Sequence, residues 1–516
     1  MPSLAELPPL GEHYPYLILA AVIVSAFGFA YNVLRNPLGK VPGPWYSKIT
    51  SAVLTNEFLQ GRRAKYVQRL HEKYGQSLAL SPSLNVYRST DEPQIGPIVR
   101  IGPNEVDVMD VAAAKQIHTV KATYLKTQFY KDVSAPGAHN VFNTLDIYFH
   151  RRHRKLLQAP FSDASLQSFY PAIDSRIRMA MQRMKEETAT RGTADVFKWW
   201  MFMATDIIGE LSFGESFRTL EQGQKSEYTT ALEKVAVVGA KRATFPMLAR
   251  LAMQGFPIPG FAENTNLIRS LRGYAQESLG RYKKLVEENP EKPVPTLFTR
   301  LFKGEEDESL TFKEIVDEAQ TYIVAGTDTT AITLTYAVWR VCQNPTIRQR
   351  LAEELKQLPE SFDDHDALKL PYLNHVLDEA LRLHSAAPSG LPRLVPPEGA
   401  TLAGKYLPGG SVVCTQAWSL HRNVDIFPDP ERFDPDRWAA PTRDMKDASM
   451  PFGGGSRICL GLHLARMELR LGIAHFFRAF PNAKMSALEG MTDDDMEQVT
   501  YFLAPPKNKR CLIECY

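Results

Sequence analysis

The stretch Pro451–Arg470, PFGGGSRICLGLHLARMELR, sets three consecutive glycines and one cysteine directly before a pattern that reads as a helix. Gly453, Gly454 and Gly455 permit close approach to the backbone, and Gly461 opens the helix just after Cys459. A sulfur there lies near unpaired helix N–H groups and the positive end of the helix dipole, both of which favour a thiolate. Taken singly, a buried cysteine is usually an inert small hydrophobe. The chain's five cysteines, Cys342, Cys414, Cys459, Cys511 and Cys515, are odd in number and show no C-x-x-C, zinc-ligand or disulfide-framework spacing. They read as reduced thiols in a cytosol-facing protein. With no zinc ligands or resolving cysteine near Cys459, the partner for its sulfur is one large cofactor metal, and haem iron fits.

The second informative stretch is Ser309–Pro345, SLTFKEIVDEAQTYIVAGTDTTAITLTYAVWRVCQNP. Thr311 and Glu314 form a capping box and Pro345 lies just beyond the far end, so the spacing predicts one helix of about 32 residues, roughly 48 Å long and central to its domain. Its middle, AGTDTT at Ala325–Thr330, is unusual for a buried helix. Glycine costs about 1 kcal/mol in a helix interior, and threonine hydroxyls compete for the i−4 carbonyls. One reading is a kink with satisfied hydroxyls. The other is that Gly326 lets something approach the helix backbone while Asp328 and Thr329 place an acid and a hydroxyl beside it, as proton delivery to a bound oxygen species requires.

Together these strings reach a family. FGGGSRICLG, Phe452–Gly461, resembles the cysteine-ligand loop of the cytochrome P450 haem-thiolate monooxygenases, and AGTDTT resembles that family's oxygen-activating helix. EALR, Glu379–Arg382, resembles its E-x-x-R, and PERF, Pro430–Phe433, supplies its later arginine as Arg432. The resemblance implies a mainly α fold, a large helical domain with small β-sheets. It implies haem b with iron ligated by Cys459, with Phe452 and Gly326 also against the cofactor. It makes Glu379, Arg382 and Arg432 a buried structural network, and Asp328 and Thr329 a proton relay. HRRHR, His150–Arg154, stands where the family often has W-x-x-x-R. His150 and Arg154 are therefore candidate propionate partners, with Arg393 and Arg457 beside them, since arginine pairs with carboxylates in a forked geometry. A solvated basic helix face is the plain alternative for that run.

The implied activity is insertion of one oxygen atom from O2 into a lipophilic molecule, the thiolate pushing electron density to the iron and favouring O–O cleavage. The cast of the segment from His384 to Val413 is similar to fungal members that decorate polyketides or terpenoids in secondary metabolism. No flavin or nicotinamide module remains in the chain, so electrons are expected from a membrane-bound NADPH-cytochrome reductase, with cytochrome b5 as a second donor. Two rivals stand beside this reading: a haem-thiolate isomerase or dehydratase, whose members often lose the acid and alcohol kept here, and a non-catalytic membrane haem protein. Four segments are expected to line the substrate pocket: Phe129–Phe142, Arg242–Gly260, Ala386–Arg393 and Thr500–Ala504. They are apolar and aromatic with little fixed charge.

Residues 1–35 are expected to be a membrane anchor, because Tyr16–Leu34 runs about 19 residues without a charge, long enough for a transmembrane helix. Glu6 and Glu12 precede it and Arg35, Lys40 and Lys48 follow, which by the positive-inside rule leaves the bulk of the chain cytoplasmic, at the endoplasmic reticulum membrane. Residues 36–59 form a Pro/Gly-rich elbow and residues 60–516 one haem-thiolate monooxygenase domain. Of the 516 residues 44% are hydrophobic, ample for a large core, and the net charge of +2 gives no reason to expect nucleic acid as a partner. Residues 76–96 interrupt a run that the family would carry straight through, joining Gly75 to Pro97. They read either as a loop facing membrane or partner, or as a short intron read through in frame; on the intron reading the segment is expected at the surface, touching little of the core, and its deletion should leave the haem pocket undisturbed.

Overall fold

The computed structural model describes residues 14–75, 96–121, 123–225, 227–288, 291, 294–303 and 310–516. At its centre lies the helix Phe312–Gln343, 32 residues long, with Thr311 and Glu314 in the expected capping box. Glu314 N–H donates to Thr311 Oγ1 at 3.3 Å, and Thr311 N–H donates to Glu314 Oε2 at 2.7 Å. The helix is buried over most of its length, since Val196–Phe213 packs along one side and Leu462–Ala479 along another. Val196–Phe213 is apolar nearly all round, the composition of a helix enclosed by protein. A Cβ added at Gly326 would meet Ile208 Cγ1 at 3.0 Å, so it is Ile208 of the Val196–Phe213 helix that approaches the central helix at that glycine.

Three small sheets flank the helices. The five-stranded sheet runs Ile98–Gly102, Glu105–Val108, Val412–Cys414, Arg393–Leu394 and Leu125–Lys126 in spatial order. Its first two strands form an antiparallel hairpin, and the second pairs parallel with Val412–Cys414. The architecture is thus mainly α with small β-sheets, as the resemblance implies. The proline-rich elbow is held by Arg100, a buried guanidinium that donates to the carbonyls of Leu38, Val41 and Pro44 at 3.0, 2.9 and 3.1 Å. An elbow rich in proline has few N–H groups to pair its own carbonyls, and the arginine supplies donors from the first strand.

The N-terminal segment needs a correction. A helix does form over Tyr14–Arg35, and Leu17, Ile18, Val22, Ile23 and Phe27 are exposed on it. Among the described residues, however, no helix is long and apolar enough to cross a membrane. The transmembrane helix expected over Tyr16–Leu34 is therefore not supported. The insertion 76–96 lies outside the described residues except for Gly96, whose N–H donates to His71 O at 3.2 Å.

Candidate functional site

The central helix, the cysteine loop and the end of the five-stranded sheet enclose a cavity of about 420 Å³. Cys459 lines it and is open to it, whereas Cys342, Cys414, Cys511 and Cys515 are buried elsewhere. The cysteine loop is tied at both ends: Cys459 N–H donates to Phe452 O at 3.0 Å, and the helix Leu462–Ala479 begins after Gly461. Burial pushes the Cys459 thiol up, while the Gly461 N–H and the Arg154 charge act in the opposite direction. Phe452, Gly453, Gly454, Arg457 and Gly461 also line the cavity.

Five basic side chains converge on the same space. Lys126, His150, Arg154, Arg393 and Arg457 all line it, and their hydrogen-bond partners are neutral. Arg154 Nη1 donates to Ile458 O at 2.7 Å and Arg457 Nη1 to Thr144 O at 3.3 Å. Arg393 donates to the Tyr130 hydroxyl and to Pro392 O, and Lys126 to Phe142 O. Their crowding is visible in their titration. Burial, then Arg457, Lys126 and Arg154, lower His150 to about 3, and burial, then Arg393, lower Arg457 to about 10. Burial, Arg393 and Arg457 depress Lys126 well below its ordinary range. Several basic groups gathered in a buried space, none of them ion-paired with a carboxylate among the described residues, are costly unless an anion arrives from outside the chain. Haem, with two propionates and an iron that takes a thiolate, fits this donor set. Lys126 was not among the residues expected from sequence, and its neighbours in YLKTQFY give no signal that would have singled it out.

AGTDTT divides between the two sides of the helix. Ala325, Gly326, Thr329 and Thr330 line the cavity. Thr329 Oγ1 donates to Ala325 O at 2.6 Å, one turn back. Asp328 does not line the cavity; it is buried behind the helix, where burial raises its pKa to about 7, Lys509 lowers it and Glu233 raises it. Asp328 is thus turned away from the cavity that Thr329 lines.

A carboxyl that sequence reading missed does reach the cavity. Glu468 lines it, is buried, and accepts from Thr330 Oγ1 at 2.7 Å. It was legible in principle: in LHLARMELR it occupies the apolar face, four residues after Leu464. Burial raises its pKa from 4.5 to about 8, against the Thr330 hydrogen bond. The native state therefore keeps a proton that the unfolded chain releases, so stability falls as pH rises from about 4.5 to about 8 and is level above that. Glu468→Gln should remove this slope, a difference on the order of 5 kcal/mol across the window, read from denaturation midpoints of both proteins over that pH range.

The E-x-x-R network forms with a different third member. Arg382 and Glu379 are fully buried and doubly bonded, Nε to Oε2 at 2.8 Å and Nη2 to Oε1 at 2.7 Å. Glu379 also accepts from Arg437 Nε at 3.0 Å, Trp438 Nε1 at 2.9 Å and Asp434 N–H at 2.9 Å. Burial alone would raise Glu379, but Arg382 and Arg437 hold it below its usual range. Arg432, the expected arginine, is exposed and contributes its carbonyl, which accepts from Arg382 Nη2 at 3.2 Å. The turn Pro435–Trp438 is what brings Arg437 and Trp438 inward together. Arg437→Ala should cost about 3 kcal/mol, because it takes a counter-charge from a buried carboxylate, whereas Arg432→Ala should change stability by less than about 0.5 kcal/mol. Equilibrium denaturation of the two variants checks the assignment.

The cavity walls correct the expected pocket. Tyr130, Val133, Ser134, Ala138, Asn140 and Phe142 line it from the first expected segment, Leu391 and Ala386 from the third, and Phe502 and Leu503 from the fourth. From Arg242–Gly260 only Arg242 does. The helices Glu227–Thr244 and Ala262–Glu288 supply Val235, Gly239, Leu267, Ile268 and Leu271 instead. The segment 138–144 is fastened to the central helix: Val141 N–H donates to Glu318 Oε1 at 2.8 Å and His139 N–H to Asp317 Oδ2 at 3.2 Å. Glu318 also contacts His153 Nδ1 at 2.9 Å.

Comparison with known proteins agrees with this geometry. The model of the family described as Cytochrome P450 matches residues 52–512. Cytochrome P450 monooxygenase tazI of Aspergillus terreus is 47% identical over 499 residues, covering 96% of this chain and 98% of that protein. Cytochrome P450 monooxygenase orf2 of Aspergillus niger is 40% identical over 519 residues and 100% of both chains. Cytochrome P450 monooxygenase aflV of Aspergillus parasiticus is 34% identical, covering 93% of this chain and 91% of that one. Among solved structures, retinoic acid-bound cyanobacterial CYP120A1 superposes with a TM-score of 0.65 at 22% identity, covering 81% of this chain and 91% of that one, which is a likeness of fold.

Proposed function

The chain belongs to the cytochrome P450 family and is a haem-thiolate monooxygenase by that membership; from this premise we propose that it inserts one oxygen atom of O2 into a lipophilic small molecule of fungal secondary metabolism. The observation that carries the reading is the convergence, on one largely apolar cavity, of a single open thiol and the basic cluster of Lys126, His150, Arg154, Arg393 and Arg457. The haem supplies an electron-rich iron at which O2 is activated for oxygen insertion.

The protein's own residues do the rest. Cys459 holds the iron, and Lys126, His150, Arg154, Arg393 and Arg457 hold the propionates. Val235, Leu267, Leu271, Phe502 and Leu503 keep water out and orient an apolar substrate. Thr329 presents a hydroxyl at the wall, donated at rest to Ala325 O. Asp328, at a pKa of about 7, holds or releases a proton near neutrality one residue away. Electrons come from a separate NADPH-cytochrome reductase, with cytochrome b5 as an alternative donor. The exposed apolar side chains of Tyr14–Arg35 lie against the endoplasmic reticulum membrane, with the catalytic domain on its cytoplasmic side.

The test is turnover under ¹⁸O2 with reductase and NADPH, using lipophilic candidates first selected by their shift of the haem absorption band. One labelled oxygen in the product supports the reading; a rearranged product without label supports the isomerase instead. In the same assay Thr329→Ala should bind haem and substrate normally but form several-fold less product per NADPH, with hydrogen peroxide making up the difference. Unchanged coupling would count against a role for the hydroxyl.

A further inference from the structure

Arg242 stands apart from the other cations of the cavity. It is 6% exposed and lies in the helix Glu227–Thr244, whose Val235, Val238 and Gly239 line the same wall. Its Nη2 donates to Val133 O at 2.6 Å, and its Nε is buried without a partner. Among the described residues no carboxylate pairs with it. Burial alone lowers its pKa, to about 10, with no charged neighbour contributing, whereas burial and then Arg393 and Arg457 act on Lys126, burial and then Arg457 and Lys126 on His150, and burial and then Arg393 on Arg457. Arg242 is therefore electrically separate from the propionate cluster.

A guanidinium has five N–H donors, and a buried one without an anion costs several kcal/mol. Capping the short helix Phe129–Val133 accounts for the single bond to Val133 O, but a neutral donor would do that without the charge. Gly239, one turn earlier, is where the two elements touch: a Cβ there would lie 3.2 Å from Val133 O. That close approach holds the guanidinium at the wall of the cavity, which Val235, Leu267, Ile268 and Leu271 also line. A fixed cation held by a single neutral acceptor and without a carboxylate partner among the described residues, at the wall of a largely apolar cavity, is an arrangement that recognises an anionic oxygen.

We propose that Arg242 is a specificity-determining residue: the substrate is a lipophilic acid, bearing a carboxylate or an ionised enol, whose anionic oxygen pairs with Arg242 while its apolar body extends into the cavity. The inference rests on the monooxygenase reading for the identity of the cavity, and it deepens that reading by naming the substrate's class.

The test compares pyrenebutyric acid with its methyl ester on the full-length haem protein, by haem-band titration and, independently, by pyrene fluorescence. The native protein should bind the acid at least about tenfold more tightly than the ester, about 1.4 kcal/mol. Arg242→Gln should bring the two affinities to within about twofold, and Arg242→Lys, which keeps the charge but loses the fork, should fall between. Equal affinities in the native protein overturn the proposal. So does an acid preference that survives Arg242→Gln, which would assign the anion to the propionate cluster. If Arg242→Gln does not retain haem, Arg242→Lys decides, an unchanged ratio overturning the proposal. Failure of the monooxygenase reading shows separately, as absence of labelled oxygen in any product.

Discussion

Replacing Cys459 with alanine should abolish oxygenation while leaving a protein that still takes up some haem, because the basic cluster and apolar walls that embrace the macrocycle remain. No other cysteine can take over. Cys342, Cys414, Cys511 and Cys515 are buried away from the cavity. Burial pushes Cys515 up to about 12 and raises the other three as well. Cys459 is held by its own loop, with Phe452 O accepting its N–H and Arg154 and the Gly461 N–H favouring its ionised form. Turnover of a lipophilic substrate and haem content per chain, measured on the same preparation, check both halves of this expectation. Oxygenation by the alanine variant would remove Cys459 from the mechanism.

The second large effect is expected at Gly455. Its φ is +61°, a region that costs an L-residue roughly 1–2 kcal/mol. A Cβ at this position would also lie 2.1 Å from His118 O and 2.7 Å from Thr119 O, both backbone atoms with nowhere to turn. Gly455→Ala must therefore shift the loop that carries Arg457 and Cys459, and haem occupancy of the purified protein should fall below about half. Gly453 is the control. Its φ is +71°, but a Cβ there meets nothing closer than Leu391 Cδ1 at 3.7 Å. Gly453→Ala should cost about 1–2 kcal/mol and keep its haem. Equal haem occupancy in the two variants would show that the backbone of residues 118–119 yields more easily than packed protein ordinarily does.

What could be read before the fold was known follows from the range of the interactions involved. The central helix was legible to the residue, since a capping box, a long apolar pattern and a terminal proline are all local signals. Cys459 was legible because its glycines and following helix lie within a few positions of it. Gly326, Gly453 and Gly454 do line the cavity, but what packs on the loop and helix glycines from elsewhere in the chain is not local: His118 lies against Gly455 and Ile208 against Gly326. The third member of the Glu379 network was misplaced by five residues because ERFDPDRW offers two arginines, and only the turn Pro435–Trp438 decides between them. Asp328 and Thr329 stand out in the sequence of the helix, but only the packing around it decides that Thr329 faces the cavity and Asp328 does not. Lys126 and Glu468 reach the cavity through contacts with other elements, Lys126 with Phe142 O and Glu468 with Thr330, and those contacts are not visible in one dimension.

The central claim is that Cys459 holds a haem iron as its thiolate in this cavity, and the reduced, carbon monoxide-bound absorption spectrum of the full chain tests it most directly. The account requires the red-shifted band of a thiolate-ligated haem in the native protein and its loss in Cys459→Ala. A band of the imidazole-ligated type in the native protein, or an unchanged thiolate band in the variant, would contradict it.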